Sequence, residues 1–440
     1  MKMKVQSTAM LILILSMVLA ACGGGKENNG GNSGGSASPA PSGSASAPAG
    51  GDKVTVTVTS WRAESSEQQF YKKLQEELNK TSPEIVIDYQ PVKATEYNTT
   101  LNLNLNTGTA ADIIHLRPYA GGKAVADAGY LDPIDGLTGL DKFTPAQLAA
   151  AQGSDGKQYG VPYMLSSTQI LYNKEIFEKN GLQVPQTWDE FIQTAEKLKA
   201  ASVTPLAFGS KEGWVLSLMH GAVGPQFYGG TEFVDKFLAG EAKLDSPEYI
   251  RSIQAMKDLQ PYFPANFEGL GMEDIRTLFA TGQTGMVING HFEIASILGL
   301  NPDLQIGVFP VPPVEAGGKG SVSTWVDGSF ALNKSAKNKE AARKVLEFMT
   351  TEAYGNLILD HTKSPSPIPG TSTDNALVNE IAQLSGTNAT PYLAVTALNN
   401  GNPTTKSTLE NSLQAMYLGK LTPEQVAAEV QKSVDTWFNK

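Results

Sequence analysis

A chain of 440 residues is too long for one small domain and has room for two large lobes plus a segment that does not fold. Hydrophobic residues make up 41% and charged residues 18%, a mixture that supplies a core and excludes wholesale disorder. The net charge of −10 argues against a general nucleic-acid binder, which needs a basic surface to neutralise phosphates.

The chain opens with Lys2 and Lys4, an apolar run over residues 9–19, and then Leu19-Ala20-Ala21-Cys22. A short positive region, an apolar stretch below the roughly 20 residues of a membrane span, and small residues at its end read as an export signal. Cys22 is the only cysteine, and Leu-Ala-Ala-Cys resembles the bacterial lipoprotein signal, in which the cysteine is acylated, typically with palmitate, and becomes the first mature residue. The alternative is an ordinary cleavage site followed by a free thiol. Residues 23–51 are almost entirely Gly, Ser, Ala, Pro and Asn, with no apolar face to bury, and read as a disordered tether.

From Val54 the strict alternation V-T-V-T-V-T predicts a strand ending at Ser60, before Trp61 and Arg62. Phe70, Leu74 and Leu78 at a spacing of four predict a helix, and Ile85 to Tyr89 a second strand. Tyr97, Leu101 and Leu105 predict another helix, and residues 111–116 a third strand. This β-α-β-α-β order is that of an α/β fold with a parallel sheet, in which ligands bind beyond the carboxyl ends of the strands. Further on, Thr187 and Glu190 suit a capping box ahead of a helix, with Trp188 structural inside it. Phe309-Pro310-Val311-Pro312-Pro313 is unsuited to a sheet interior and reads as a crossing between lobes, followed by a strand from Ser329 to Leu332.

Five segments in this order carry a resemblance: G-K-Q-Y-G-V-P-Y (156–163), L-Y-N-K-E-I-F-E-K-N-G-L (171–182), V-P-Q-T-W-D-E-F (184–191), F-A-T-G-Q-T-G-M-V-I-N-G (279–290) and L-T-P-E-Q-V-A-A-E-V (421–430). Together they resemble the extracellular solute-binding proteins of bacterial ABC transporters, specifically the carbohydrate-binding, maltose-binding-protein-like lipoproteins. The resemblance implies a two-lobed periplasmic-binding-protein fold of type II-like form, with interleaved lobes joined by hinge crossings. Lobe one would be residues 53–160 and 310–365, and lobe two 161–309 and 366–440. The hinges would lie near Tyr159 to Tyr163 and Val308 to Pro313. It further implies capture of a carbohydrate, expected to be an oligosaccharide, between the lobes and its delivery to membrane permease subunits. The chain would be a monomer on the outer face of a Gram-positive cytoplasmic membrane, held there by its lipid anchor alone.

A sugar offers weakly apolar faces and a rim of hydroxyls, so its site needs aromatic rings and planar polar groups at loop tips. Trp61, Arg62 and Glu64 stand at the first tip, with Trp61 as stacking platform or, alternatively, core, and Glu64 as hydroxyl acceptor or solvated helix-start carboxylate. Arg117 and Tyr119 follow the third strand, where Arg117 either meets the ligand or braces its loop. Tyr163 lies past the first expected hinge, and the resemblance makes Trp214 a second stacking ring. It also turns Asn289, His291, Phe292 and Glu293 toward the ligand, with His291 and Phe292 where relatives more often carry tryptophan. Trp325 and Asp327 read as a further cleft pair.

A secreted glycoside hydrolase is the main rival. It would need two carboxyl groups about 5 to 10 Å apart with divided acid and base roles, which no pair in the sequence advertises. No G-x-S-x-G occurs beyond the Gly/Ser-rich tether, and the four histidines are far apart, so neither serine hydrolysis nor a zinc site is expected. No catalytic residue, metal or cofactor is expected, and no nucleic-acid partner. A non-sugar small solute remains the other alternative ligand.

Overall fold

The computed structural model describes residues 53–438. Cys22, the export signal and the tether over 23–51 lie outside the described residues. Among those described, no helix is long and apolar enough to cross a membrane.

Two mixed sheets organise the chain. The first is built on β1 (Val54–Ser60), β2 (Ile85–Pro91) and β3 (Ile113–Leu116), in the order β2-β1-β3 and parallel throughout. The alternation in β1 does what its period requires, burying Val56 and Val58 completely while Thr55, Thr57 and Thr59 alternate with them at more exposed positions. Helix α1 (Ser65–Leu78) lays Phe70, Leu74 and Leu78 against this sheet, and α2 (Tyr97–Thr107) does so with Tyr97, Leu101 and Leu105. A glycine at 108, with φ of 70°, ends α2 in the left-handed region. Three further strands complete the sheet: β4 (Leu131–Asp132), β5 (Gly160–Pro162) and β11 (Ser329–Asn333). Strand β11 runs antiparallel to β3, although more than 200 residues separate them.

The second sheet is centred on β6 (Leu165–Asn173), which pairs antiparallel with β8 (Thr284–Gly290), β9 (Ile306–Phe309) and β10 (Val322–Val326). Strand β7 (Thr204–Ala207) extends it beside β8, and β12 (Ala389–Pro391) beside β10. The helices Gly213–Val223, Pro247–Asp258, Thr405–Tyr417 and Pro423–Val434 pack on this sheet around one large apolar core.

The proline-rich segment is not a crossing. Val311 forms an antiparallel bridge with Ser321, and Pro313 accepts a hydrogen bond from the Trp188 N–H at 2.8 Å, so residues 310–326 fold back onto the second sheet. The prolines lack donors, but Val311 between them keeps its N–H and uses it. The boundary expected at 310 therefore falls at 327–328 instead. Chain passage between sheets occurs at 163–164, at 327–328 and near 365, and these three strands are tied side by side. Gly328 accepts from the Tyr163 N–H at 3.1 Å, Met164 from Asp327 at 3.0 Å, and Pro365 from Leu165 at 3.3 Å. Thr187 caps its helix through the Glu190 N–H, but the Glu190 carboxylate turns to the Gln186 N–H, so the reciprocal half of the expected capping box is displaced by one residue.

Candidate functional site

The junction of the two sheets gathers most of the residues singled out from the sequence, though in several different roles. At the end of β1, Trp61 is only 6% exposed and both faces of its indole are covered. His115 stacks on one face at 3.7 Å, and the Arg117 guanidinium lies 4.2 Å from the ring centre on the other side. Gly328 presses against the ring so closely that a Cβ there would lie 2.4 Å from Cη2. Trp61 thus offers no face for stacking a sugar, contrary to the favoured sequence reading: its place at a strand end is sealed by the second crossing. Arg117 braces its loop, donating to the Ala94 carbonyl at 2.9 Å and to Asn98 Oδ1 at 3.2 Å. Burial pulls its pKa down to about 10.

Arg62 occupies the centre of the junction. Its Nη2 pairs with Asp327 Oδ2, and its Nε lies 3.9 Å from Glu67 Oε1. Its guanidinium stands 5.3 Å from the ring centre of Phe292, which belongs to the second sheet's side. Burial works against this charge, but Asp327 and Glu67 outweigh it and hold the arginine fully ionised. Tyr163, expected at the ligand, is instead 1% exposed and donates its hydroxyl to Glu67 at 2.9 Å. Its ring meets Phe70, His115 and Phe330 edge-on, so it is core at the foot of the first crossing.

On the other side, the β8 turn divides its residues between packing and cleft. Asn289 is buried, with Oδ1 accepting from the Gly290 N–H at 2.8 Å and Nδ2 turned to Met272 Sδ. His291 is wholly buried, its Nδ1 accepting from the Ser167 N–H at 3.1 Å, and burial next to Arg62 pulls its pKa down to about 3, which keeps it neutral. Glu293 receives both Nε and Nη2 of Arg276, at 2.8 and 2.7 Å. These three are tied into the protein, so the expectation that they meet the ligand gives way to a supporting role. Phe292 is half-buried and packs against the cores of both lobes.

Phe292 meets Trp325 edge-to-face at 6.2 Å, and Trp325 meets Tyr392 at 4.8 Å. The Trp325 indole N–H donates to Asp327 Oδ1 at 3.2 Å, so this one carboxylate holds both the arginine and the tryptophan. Behind Tyr392, Ser217 Oγ lies 3.0 Å from its hydroxyl and donates to Glu410 Oε1 at 2.6 Å, which also receives Lys406. Half-buried Trp214 donates to Glu212 Oε2 at 2.7 Å, and the neighbouring Gly213 abuts Glu410. From the first lobe, Tyr119 packs its ring against the second lobe's core, and its hydroxyl accepts from the Val326 N–H at 3.3 Å. Glu64, half-buried at the start of α1, has a buried Oε2 without a partner among the described residues. Buried Ser166, Thr168, Gln169 and Ser323, on the adjoining ends of β6 and β10, likewise carry side-chain atoms without partners.

Sequence reasoning missed Tyr392, Ser217, Glu410, Lys406, Arg276 and Glu67. Only the Glu410–Lys406 spacing of four on one helix was a local signal. Tyr392 reaches Trp325 because β12 pairs with β10, a long-range pairing that no local pattern announces.

The family of bacterial extracellular solute-binding proteins matches residues 63–356. A multiple sugar-binding protein of Streptococcus mutans is 27% identical over 336 residues, covering 73% of this chain and 77% of its own. Among solved structures, a chitin oligosaccharide binding protein superposes with a TM-score of 0.76 at 24% identity, over 88% of this chain and 99% of the other. The binding protein RafE in complex with raffinose gives 0.74 at 20% identity, over 87% and 99%. The fold is accordingly the two-lobed α/β fold of such binding proteins, and the chain belongs to the bacterial extracellular solute-binding protein family.

Proposed function

We propose that this chain is the carbohydrate-binding component of an ABC importer, anchored outside the cell by an acylated Cys22. It captures an oligosaccharide between its lobes and delivers it to permease subunits. The observation that carries this reading is the junction of Phe292, Trp325 and Tyr392 beside the Asp327 and Glu410 carboxylates, where the two sheets meet. Aromatic rings suit the C–H faces of a sugar, and carboxylates accept its hydroxyls. The names of the relatives support the same ligand class. Three hydrogen-bonded crossings suit a hinge about which ligand would favour the closed population. Tyr119, Trp214, Trp325, Phe292, Glu64 and Asp327 are the side chains assigned to ligand contact, with Arg62, Trp61 and Arg117 holding the wall behind them.

A thermal-shift screen of mono- and oligosaccharides tests the reading, since a ligand at 100 times its Kd adds about 2.7 kcal/mol. Stabilisation by an oligosaccharide in the parent, reduced in Trp325→Ala, is the expected result. A chain that no carbohydrate stabilises has another function. For the anchor, Cys22→Ser should release the protein from cells into the medium.

A further inference from the structure

Trp214 opens the helix Gly213–Val223, and a half-buried indole in a first turn has room to rotate unless something fixes its plane. Glu212 does so. It is the N-cap residue of that helix, yet its side chain caps nothing there. Its Oε2 instead accepts the Trp214 indole N–H at 2.7 Å, and its Oε1 accepts the Met272 backbone N–H at 3.1 Å, 60 residues further on. Met272 starts the helix Met272–Ala280, so this carboxylate meets the positive end of a helix dipole. Gly271 makes the approach possible, because a Cβ there would lie 2.8 Å from Oε1. Lys211, whose stem passes the same glycine, is exposed and forms no ion pair with Glu212. The helix Met272–Ala280 also reaches a second ring. Asn289 Nδ2 turns to Met272 Sδ, and Arg276 holds Glu293, so the β8 turn that carries Phe292 is braced on it from both sides.

We infer that Glu212 is a positioning residue for ligand binding: it fixes the plane of the Trp214 ring before the ligand arrives and ties that ring to the helix bracing the Phe292 turn. The ordering of the ring is then complete in the free protein and costs nothing on binding. The inference rests on the carbohydrate reading, with Trp214 as a stacking ring, and adds the residue that makes that ring rigid. Carboxylate oxygens have more than one lone pair each, so direct contact between Glu212 and a ligand hydroxyl is the competing role.

The test is a double-mutant cycle by calorimetric titration of the full chain, using whichever of a panel of xylo-, cello- and galacto-oligosaccharides binds the parent most tightly. Glu212→Gln keeps the shape but sets an amide NH₂ against one of the two N–H donors. It should weaken binding about tenfold in the parent, the order expected for a lost hydrogen bond to a charged acceptor. Trp214→Phe keeps a ring and removes the indole N–H, so the amide oxygen can serve Met272 alone. In that background Glu212→Gln should change affinity by less than about twofold. Equal losses in both backgrounds mean that Glu212 touches the ligand itself, and no loss in either means that it only caps a helix; either result overturns the inference. A ligand-free readout separates it from the carbohydrate reading. The Trp214 indole N–H signal in the NMR spectrum, one of five and assigned by its absence in Trp214→Phe, should lie downfield and exchange slowly in the parent. In Glu212→Gln it should move upfield and exchange faster, and a signal left unchanged overturns the positioning whatever binds. If no carbohydrate binds, the proposed function falls, while this signal still shows whether Glu212 holds the ring.

Discussion

The Tyr119 hydroxyl accepts a hydrogen bond from the backbone N–H of Val326 at 3.3 Å, linking the loop after β3 to the strand that leads into the second crossing. Tyr119 makes this contact from a backbone conformation of φ 57° and ψ −124°, which only glycine adopts without strain. Tyr119→Gly should therefore be more stable than Tyr119→Ala by about 1–2 kcal/mol. Urea unfolding of the two variants measures this, and an alanine variant as stable as the glycine one would refute the strain. Both should bind ligand more weakly than the parent.

Asp327 holds a buried arginine and a cleft tryptophan with one carboxylate. Asp327→Ala should cost about 3–5 kcal/mol in denaturant unfolding, because it removes the direct partner of the buried Arg62 charge and leaves only Glu67, 3.9 Å away. Pairing the change with Arg62→Met should recover much of that loss. Ligand affinity should not recover in the double variant, since the Trp325 indole still lacks its acceptor.

Trp61→Ala separates the two roles considered for that residue. With His115 on one face and Arg117 on the other, truncation should destabilise the fold by about 3–5 kcal/mol, as for a core aromatic. Trp214→Ala, at a half-buried position, should cost less stability and more affinity. A Trp61→Ala protein of parental stability with abolished sugar binding would restore the stacking role.

Burial pushes the Glu67 carboxyl up to about 7, against the opposing pull of Arg62 and the Tyr163 hydroxyl. Below its ordinary value of 4.5 both folded and unfolded states hold the proton. Between there and about 7 the unfolded chain releases it while the folded one retains it, so this group's contribution falls as pH rises. The loss approaches 3 kcal/mol on the order of magnitude given by about 1.4 kcal/mol per unit. Neutral buried His291 and His220, pulled down to about 3 and about 4 mainly by burial, act oppositely, their contribution falling as pH drops below 6.5. The difference between parent and Glu67→Gln isolates the glutamate: the variant should gain on the parent from pH 4.5 to 7. Chemical denaturation across that range checks it, and parallel curves would contradict the assignment.

Local pattern carried much of the first lobe. The V-T-V-T-V-T alternation of β1, the spacing of Phe70, Leu74 and Leu78, and that of Tyr97, Leu101 and Leu105 are short-range signals, and the structure follows them. The proline-rich segment misled because proline composition marks where a chain turns, without saying which sheet it turns back to; the Val311–Ser321 bridge decided that. Tyr163 misled for a related reason. Its place at a crossing was right, but the depth of that crossing is set by Phe70 and Phe330 from opposite ends of the chain.

By itself the sequence determined the α/β class, the two-lobed family and the region of the chain ends where a ligand site belongs, because periodicity and motif order are local properties. Only the tertiary structure decided which neighbours each aromatic ring packs against, Trp61 and Trp325 being 6% and 8% exposed. Trp61 and Trp325 each stand near a crossing and look alike in composition. Trp61 is closed between His115, Arg117 and Gly328, while Trp325 packs with Phe292 and Tyr392 on the second sheet's side. That distinction depends on β11 and β12 returning from distant sequence to pair beside β3 and β10, and on the faces those pairings cover.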